Sequence, residues 1–94
     1  MSVASVRYFK RRPDPTVLVG WRYTGQPFPD WPVFVQQCCT QQRSPKGLTE
    51  LRHNRNSGAQ IVNIGEWLLR DPDGFVNQYT DDEVRRLFIE GDWP

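Results

Sequence analysis

Imidazole and thiol groups are nearly missing from this chain. His53 is the only histidine, and the adjacent pair Cys38 and Cys39 are the only cysteines. No C-x-x-C or H-x-x-x-H spacing occurs, so no zinc framework is expected. Neighbouring cysteines join each other only through a strained peptide, so no disulfide scaffold is expected either. There is no apolar run of about 18 residues and no basic stretch followed by an apolar one, which predicts a chain at work in a reducing cytoplasm without a membrane anchor. Gly65 lies in a one-glycine turn and opens no helix, so a glycine-rich phosphate loop is missing too. A dominant charge is also lacking: the formal charge is +1, which does not point to nucleic acid. The charge is unevenly spread, however. Residues 1–60 hold nine Lys/Arg against three Asp/Glu, and residues 61–94 hold three against eight. Such a split can steer a partner or join copies head to tail, although solvated faces of opposite sign account for it more plainly.

Aromatic residues and turn formers are plentiful. With 94 residues there is room for one domain and one core, residues 1–2 and 90–94 being tails, and four Trp, three Tyr and five Phe supply much of its burial. The best-specified stretch is Gln60–Ile89. It reads as a strand, a turn at Gly65, a strand Glu66–Arg70, the Asp71-Pro72-Asp73-Gly74 turn, a strand Phe75–Tyr79 and a helix Thr80–Ile89. Thr80 with Glu83 three residues on forms a capping box, and Val84, Leu87 and Phe88 make one apolar stripe. A helix this short needs a sheet to lie on. The expected fold is α+β: a small, mostly antiparallel sheet from segments near 3–10, 16–24, 59–64, 66–70 and 75–79, with the C-terminal helix on one face. Trp21, Trp67, Leu69, Val84, Leu87 and Phe88 are expected to be buried together. Val17, Val19, Trp21 and Tyr23 alternate with Leu18, Gly20 and Arg22, and Gly20 marks a place where another element approaches closely. Asp30 is expected to cap a short helix, with room for a change to strand near Gln37; the alternative is that Val33–Thr40 is extended throughout. Gln41–Gly47 reads as a loop, Leu48–His53 as an edge strand or irregular piece, and Asn54–Gly58 as a turn.

No catalytic set stands out, and the chain is expected to be neither an enzyme nor a cofactor carrier. Asp71-x-Asp73-Gly74 resembles the opening of a calcium loop, but no Glu follows at the required place. Asp81, Asp82 and Glu83 are explained as helix-start residues. A nucleophilic pair would need Cys38 or Cys39 against His53, with Asn54 or Asn56 to orient it; a half-buried pair of structural thiols is the simpler account. The polar middle of the chain is the expected contact surface. Arg43, Lys46, Arg52, His53 and Arg55 offer donors to carboxylate or phosphate, with Trp31 as an apolar anchor at the rim. Nucleic acid is the competing partner, through the same residues joined by Lys10-Arg11-Arg12, but no expected helix carries that charge into a groove. An open sheet edge also favours a homodimer.

The order of motifs resembles a group of small bacteriophage and prophage accessory proteins. These open with an aromatic-Lys-x-x-Pro segment, continue with a strand ending in Trp-Thr-Gly, and close on Gly-Asp-Trp-[Ile/Leu]-x-[Lys/Arg], a glycine turn, a short strand and a helix ending near Tyr. Here the opening is Tyr8-Phe9-Lys10-Arg11-Arg12-Pro13 and the strand runs from Val17 to Trp21-Arg22-Tyr23-Thr24-Gly25. The close is Gly65-Glu66-Trp67-Leu68-Leu69-Arg70, then Pro72-Asp73-Gly74-Phe75, then Phe88. Glu66 stands where Asp is usual, and Phe88 or Trp93 takes the place of the terminal Tyr; residues 36–57 match nothing in the pattern. The resemblance implies a protein of the host cell cytoplasm that captures a host protein or a small anionic molecule, whether as an inhibitor or as a sponge for a signal that serves host defence. It leaves minor structural, assembly or DNA-metabolism roles open and supplies no catalytic residue.

Overall fold

The computed structural model describes residues 5–11, 14–47, 49–55 and 58–92. Val3, Arg12, Pro13, Leu48, Asn56 and Trp93, which enter the expectations above, lie outside the described residues. The architecture is α+β. The strands are β1 (Arg7–Arg11), β2 (Val17–Arg22), β3 (Cys39–Arg43), β4 (Thr49–Arg55), β5 (Gly58–Val62), β6 (Trp67–Arg70), β7 (Val76–Tyr79) and β8 (Phe88–Gly91). Helix α1 (Val33–Cys38) follows a 3-10 turn at Phe28–Asp30, and α2 (Asp81–Leu87) lies between β7 and β8. All described strand pairs are antiparallel.

The strands form two sheets rather than the single sheet expected. Five strands run in the order β7-β6-β2-β1-β8, and three in the order β3-β4-β5. Facing residues of an antiparallel pair share a sheet face, so register decides which apolar groups meet. Trp21 faces Leu68, Gly20 faces Leu69 and Arg22 faces Trp67. Trp21 therefore does not share a core with Trp67 and Leu69. It packs with Tyr23, Trp31, Val35, Cys39, Leu51, Val62 and Leu68, beneath α1 and the three-stranded sheet. Trp67 and Leu69 pack on the opposite face with Phe9, Val84 and Phe88, beside α2, and half-buried Leu87 borders them. The alternation within β2 and within β6 is as the sequence indicates; the error lay in combining them, because pairing sets Trp21 beside Leu68.

The second sheet is built from the middle of the chain, where pattern was weakest. Pro32 precedes α1 and fixes its extended entry, so Asp30 closes the 3-10 turn instead of capping the helix. The chain turns extended at Cys39, and β3 then takes in Gln41–Arg43, expected as loop. The segment expected as an edge strand is the centre of this sheet: β4 pairs with both β3 and β5 and extends to Asn54 and Arg55. Its alternation puts Leu51 and His53 inward and Glu50, Arg52 and Asn54 outward. The inward histidine disguised the strand's buried face. β5 also belongs here, since the turn before Gly65 takes the chain across to the larger sheet. The Gly65 N–H donates to the Tyr23 carbonyl at 2.7 Å and the Tyr23 N–H to the Glu66 carbonyl at 2.9 Å, which anchors that turn to β2.

Thr80 caps α2 as expected: the Glu83 N–H donates to its hydroxyl, and the Thr80 N–H donates to the Glu83 carboxylate. The helix ends at Leu87, earlier than Ile89. Phe88 is extended, and β8 pairs along β1, so Glu90 and Gly91 form a sheet edge rather than a tail. Propagation of a short helix gains less here than the ladder and the β-prone Phe88 and Ile89 gain at the sheet edge. Phe88 thus reaches the α2-side core from a strand, with its ring 5.1 Å from Tyr79 and 6.3 Å from Phe9.

Gly20 is the close approach that β2 requires. A β-carbon there would stand 2.7 Å from the Phe9 ring and 3.2 Å from Leu69 Cδ1. Phe9 covers the bare backbone and meets Trp67 edge to face at 5.2 Å. Gly20→Ala should therefore destabilise the fold by about 1–3 kcal/mol through overpacking. In urea titration the midpoint should fall with the slope unchanged. An unchanged midpoint would show that the ring yields freely.

Candidate functional site

The α2 face of the larger sheet brings several charged groups to close quarters. Leu18, Gly20 and Arg22 point to that face, and so do Arg7, Phe9 and Glu90 from the neighbouring strands. α2 covers only part of the sheet, and beside it a trough of about 630 Å³ remains. Phe9, Trp67, Val84 and Phe88 form its floor, while Arg7, Arg22, Asp81, Arg85 and Glu90 stand around it.

Arg22 is the fixed cation of the trough. Its Nε donates to the Gly65 carbonyl at 3.1 Å, which ties the guanidinium to the turn that anchors β6. Its outer nitrogen lies 4.0 Å from the Asp81 carboxylate, a long contact for an ion pair. Asp81 is better held elsewhere. It accepts from the Trp67 indole N–H at 3.0 Å and pairs with Arg85 Nε at 3.0 Å, one turn along α2. The indole does most to hold Asp81 below the usual carboxylate range; desolvation opposes it, and the Arg85 and Arg22 charges add to it. Arg7 and Glu90 pair at 2.9 Å at the exposed rim, where such a contact contributes little stability. The trough therefore has a bound aspartate, a tethered arginine with outward donors, and an apolar floor.

The residues singled out in the sequence lie elsewhere and do not converge. Trp31 is 2% exposed, and its indole N–H donates to the Gln26 carbonyl at 2.8 Å, so it is a core residue and no rim anchor. His53 is 3% exposed. Arg43 and Lys46 stand at the β3–β4 turn, whereas Arg55 is at the far end of β4, roughly 20 Å away at the rise of a strand. Arg52 lies between them on the outer face, pairs with Glu50 at 3.5 Å and faces Ile61. Arg55 donates to Gln60 at 3.2 Å. A strand's length separates the two ends of this basic set, and alternation sends His53 inward and Arg52 outward.

His53 does meet the cysteines. Cys39 faces it across the β3–β4 pair, and the two sulfurs lie 3.5 Å apart. Among the described residues, no group of three or more His, Cys, Asp or Glu is placed to hold a metal ion. No described helix is long and apolar enough to cross a membrane.

Sequence reasoning passed over Arg22 and treated Asp81 as a helix-start residue only. The signal for Arg22 was present in β2: its alternation puts Arg22 on the same face as Leu18 and Gly20, opposite Trp21. No protein-family model, curated protein or solved structure matches the chain.

The lowered carboxyl groups give a signed expectation. Asp81 and Glu83 both titrate below their ordinary values when folded, Glu83 chiefly because it accepts from the Thr80 N–H. The unfolded chain then binds more protons as acid is added. Their stabilisation is present above the unfolded values, near pH 4, and is lost as pH falls through the lower folded values. The melting temperature should drop as pH is taken from about 5 to about 2.5. In Asp81→Asn that drop should be shallower. An equally steep drop in the variant would mean that Asp81 contributes nothing to it.

Proposed function

We propose that the chain is a non-catalytic binder, a phage accessory protein of the kind its motifs resemble, and that it captures a small anionic molecule with a flat apolar part in the α2 trough. The observation that carries this reading is the tethered Arg22 beside an apolar floor. Its Nε is used on Gly65, so the guanidinium is oriented before any ligand arrives. Less ordering entropy then opposes binding. The remaining donors suit the paired oxygens of a carboxylate or phosphate, and the long contact to Asp81 is the one most readily exchanged for a ligand anion. The size of the trough lies within the range of small-molecule pockets. The dispersal of Arg43, Lys46, Arg52 and Arg55 gives less support to a phosphate-tracking surface for nucleic acid.

Titration calorimetry with a nucleoside monophosphate and with phenyl phosphate tests this. Each should bind to the unaltered chain and weaken as salt is raised. Arg22→Ala should weaken binding at least about tenfold, the scale of one charge-assisted contact. Arg43→Ala should leave it unchanged. Equal affinity in Arg22→Ala, or binding of neither compound, would remove the trough as the site.

A further inference from the structure

A second groove, of about 400 Å³, lies on the other side of the fold between β4 and the β6–β7 turn. Cys38, His53, Asn54, Arg55, Phe75 and Asn77 line it. Three observations make it chemically unlike the rest of the surface. Cys38, the last residue of α1, is half-buried at its edge, while Cys39 beside it is 4% exposed. The sulfurs are 3.5 Å apart, a distance at which one S–H donates to the other sulfur. The His53 Nδ1 is buried without a hydrogen-bond partner among the described residues, although buried ring nitrogens ordinarily have one.

The negative charge belongs on Cys38. Either sulfur can donate across the pair, and as a thiol Cys38 has the Val35 carbonyl 3.8 Å away as an acceptor. Cys39 is the more enclosed, and its hydrogen bond to Cys38, its burial and the neighbouring charge all push its value up, so it is the one that keeps its proton. The Cys39 S–H is the main cause that draws Cys38 down to about 5; desolvation opposes it, and hydrogen bonding and charge from His53 assist. The charged and titratable groups around Cys38 are Cys39 from β3 and His53 and Arg55 from β4. Residues 33–37 of α1 and residues 74–77 of the turn bring none among the described residues.

We infer that Cys38 is a modification site that forms a mixed disulfide with a small carboxylate-bearing disulfide. The Cys38 sulfur attacks one sulfur of the reagent. The new bond joins Cys38 to that sulfur, the reagent's own S–S bond breaks, and the departing thiolate leaves with the electron pair and takes a proton from water. The reagent is the oxidant, and Cys38 is oxidised. Arg55, at the mouth of the groove, provides the charge that favours an anionic reagent. The adduct should persist. For Cys39 to expel it, two neighbouring residues with α-carbons about 3.8 Å apart would have to be bridged, below the usual disulfide range.

The full chain, incubated with oxidised glutathione and separately with uncharged 2-hydroxyethyl disulfide, gives the test by intact mass and peptide mapping. One adduct is expected, on Cys38, and the charged reagent should lose its advantage over the neutral one in Arg55→Ala. Iodoacetamide labelling of Cys38 in the unaltered protein should be half-maximal well below the ordinary thiol value. In Cys39→Ala that midpoint should move up by at least one pH unit, a shift that loss of packing alone would not produce. Three results would overturn the assignment: an adduct on Cys39, no adduct under conditions that modify free cysteine, or a labelling midpoint near the ordinary thiol value.

Discussion

Three consecutive residues of β6, Trp67, Leu68 and Leu69, are buried, and the rest of the molecule follows from covering them. A strand with both faces apolar needs a layer on each side. Leu68, with Trp21 and Tyr23, takes α1 and the three-stranded sheet as its cover. Trp67 and Leu69 take α2 and the Phe9 and Phe88 rings. α2, with seven residues, is too short to stand alone, and the three-stranded sheet buries its apolar face against the larger one. Each is held by the strand it covers. The two grooves lie where these covers stop, one beside α2 and the other where β4 meets the β6–β7 turn.

The parts of the fold legible in the sequence were those fixed by local chemistry. The capping box at Thr80, the Asp71–Gly74 turn and the alternation of β2 each depend on residues a few positions apart. The Asp71 carboxylate accepts from the N–H groups of Asp73 and Phe75, so that turn is closed by its own side chain. Long-range pairing was not legible. Whether Trp21 meets Trp67 or Leu68 is decided by register between β2 and β6, and alternation within either strand is silent about it. Phe88 is a similar case: it continues a helical stripe in sequence, yet the open edge of β1 draws it into a strand.

The candidate sites show the same division. Charge density in residues 43–55 suggested one surface, but a strand separates such residues by distance and by face. The trough instead gathers Arg7, Arg22, Asp81 and Arg85 from β1, β2 and α2, none of them adjacent in sequence. The proximity of His53 to the cysteines was conceivable from composition. That it occurs depends on β4 being central, which its irregular pattern concealed.

The β1–β8 ladder joins parts of the chain that are far apart in sequence; the Arg7–Glu90 contact spans 83 positions. Closing so long a loop is entropically costly before any contact rewards it. During synthesis, β1 emerges early and has β2 on one side, while its other edge waits for nearly everything else to be made. Throughout that interval an unpaired strand carrying Phe9 is available to any neighbouring edge. Mispairing of β1 is therefore a hazard of the partly formed sheet, and once β8 takes its place the open edge on that side belongs to β8 instead.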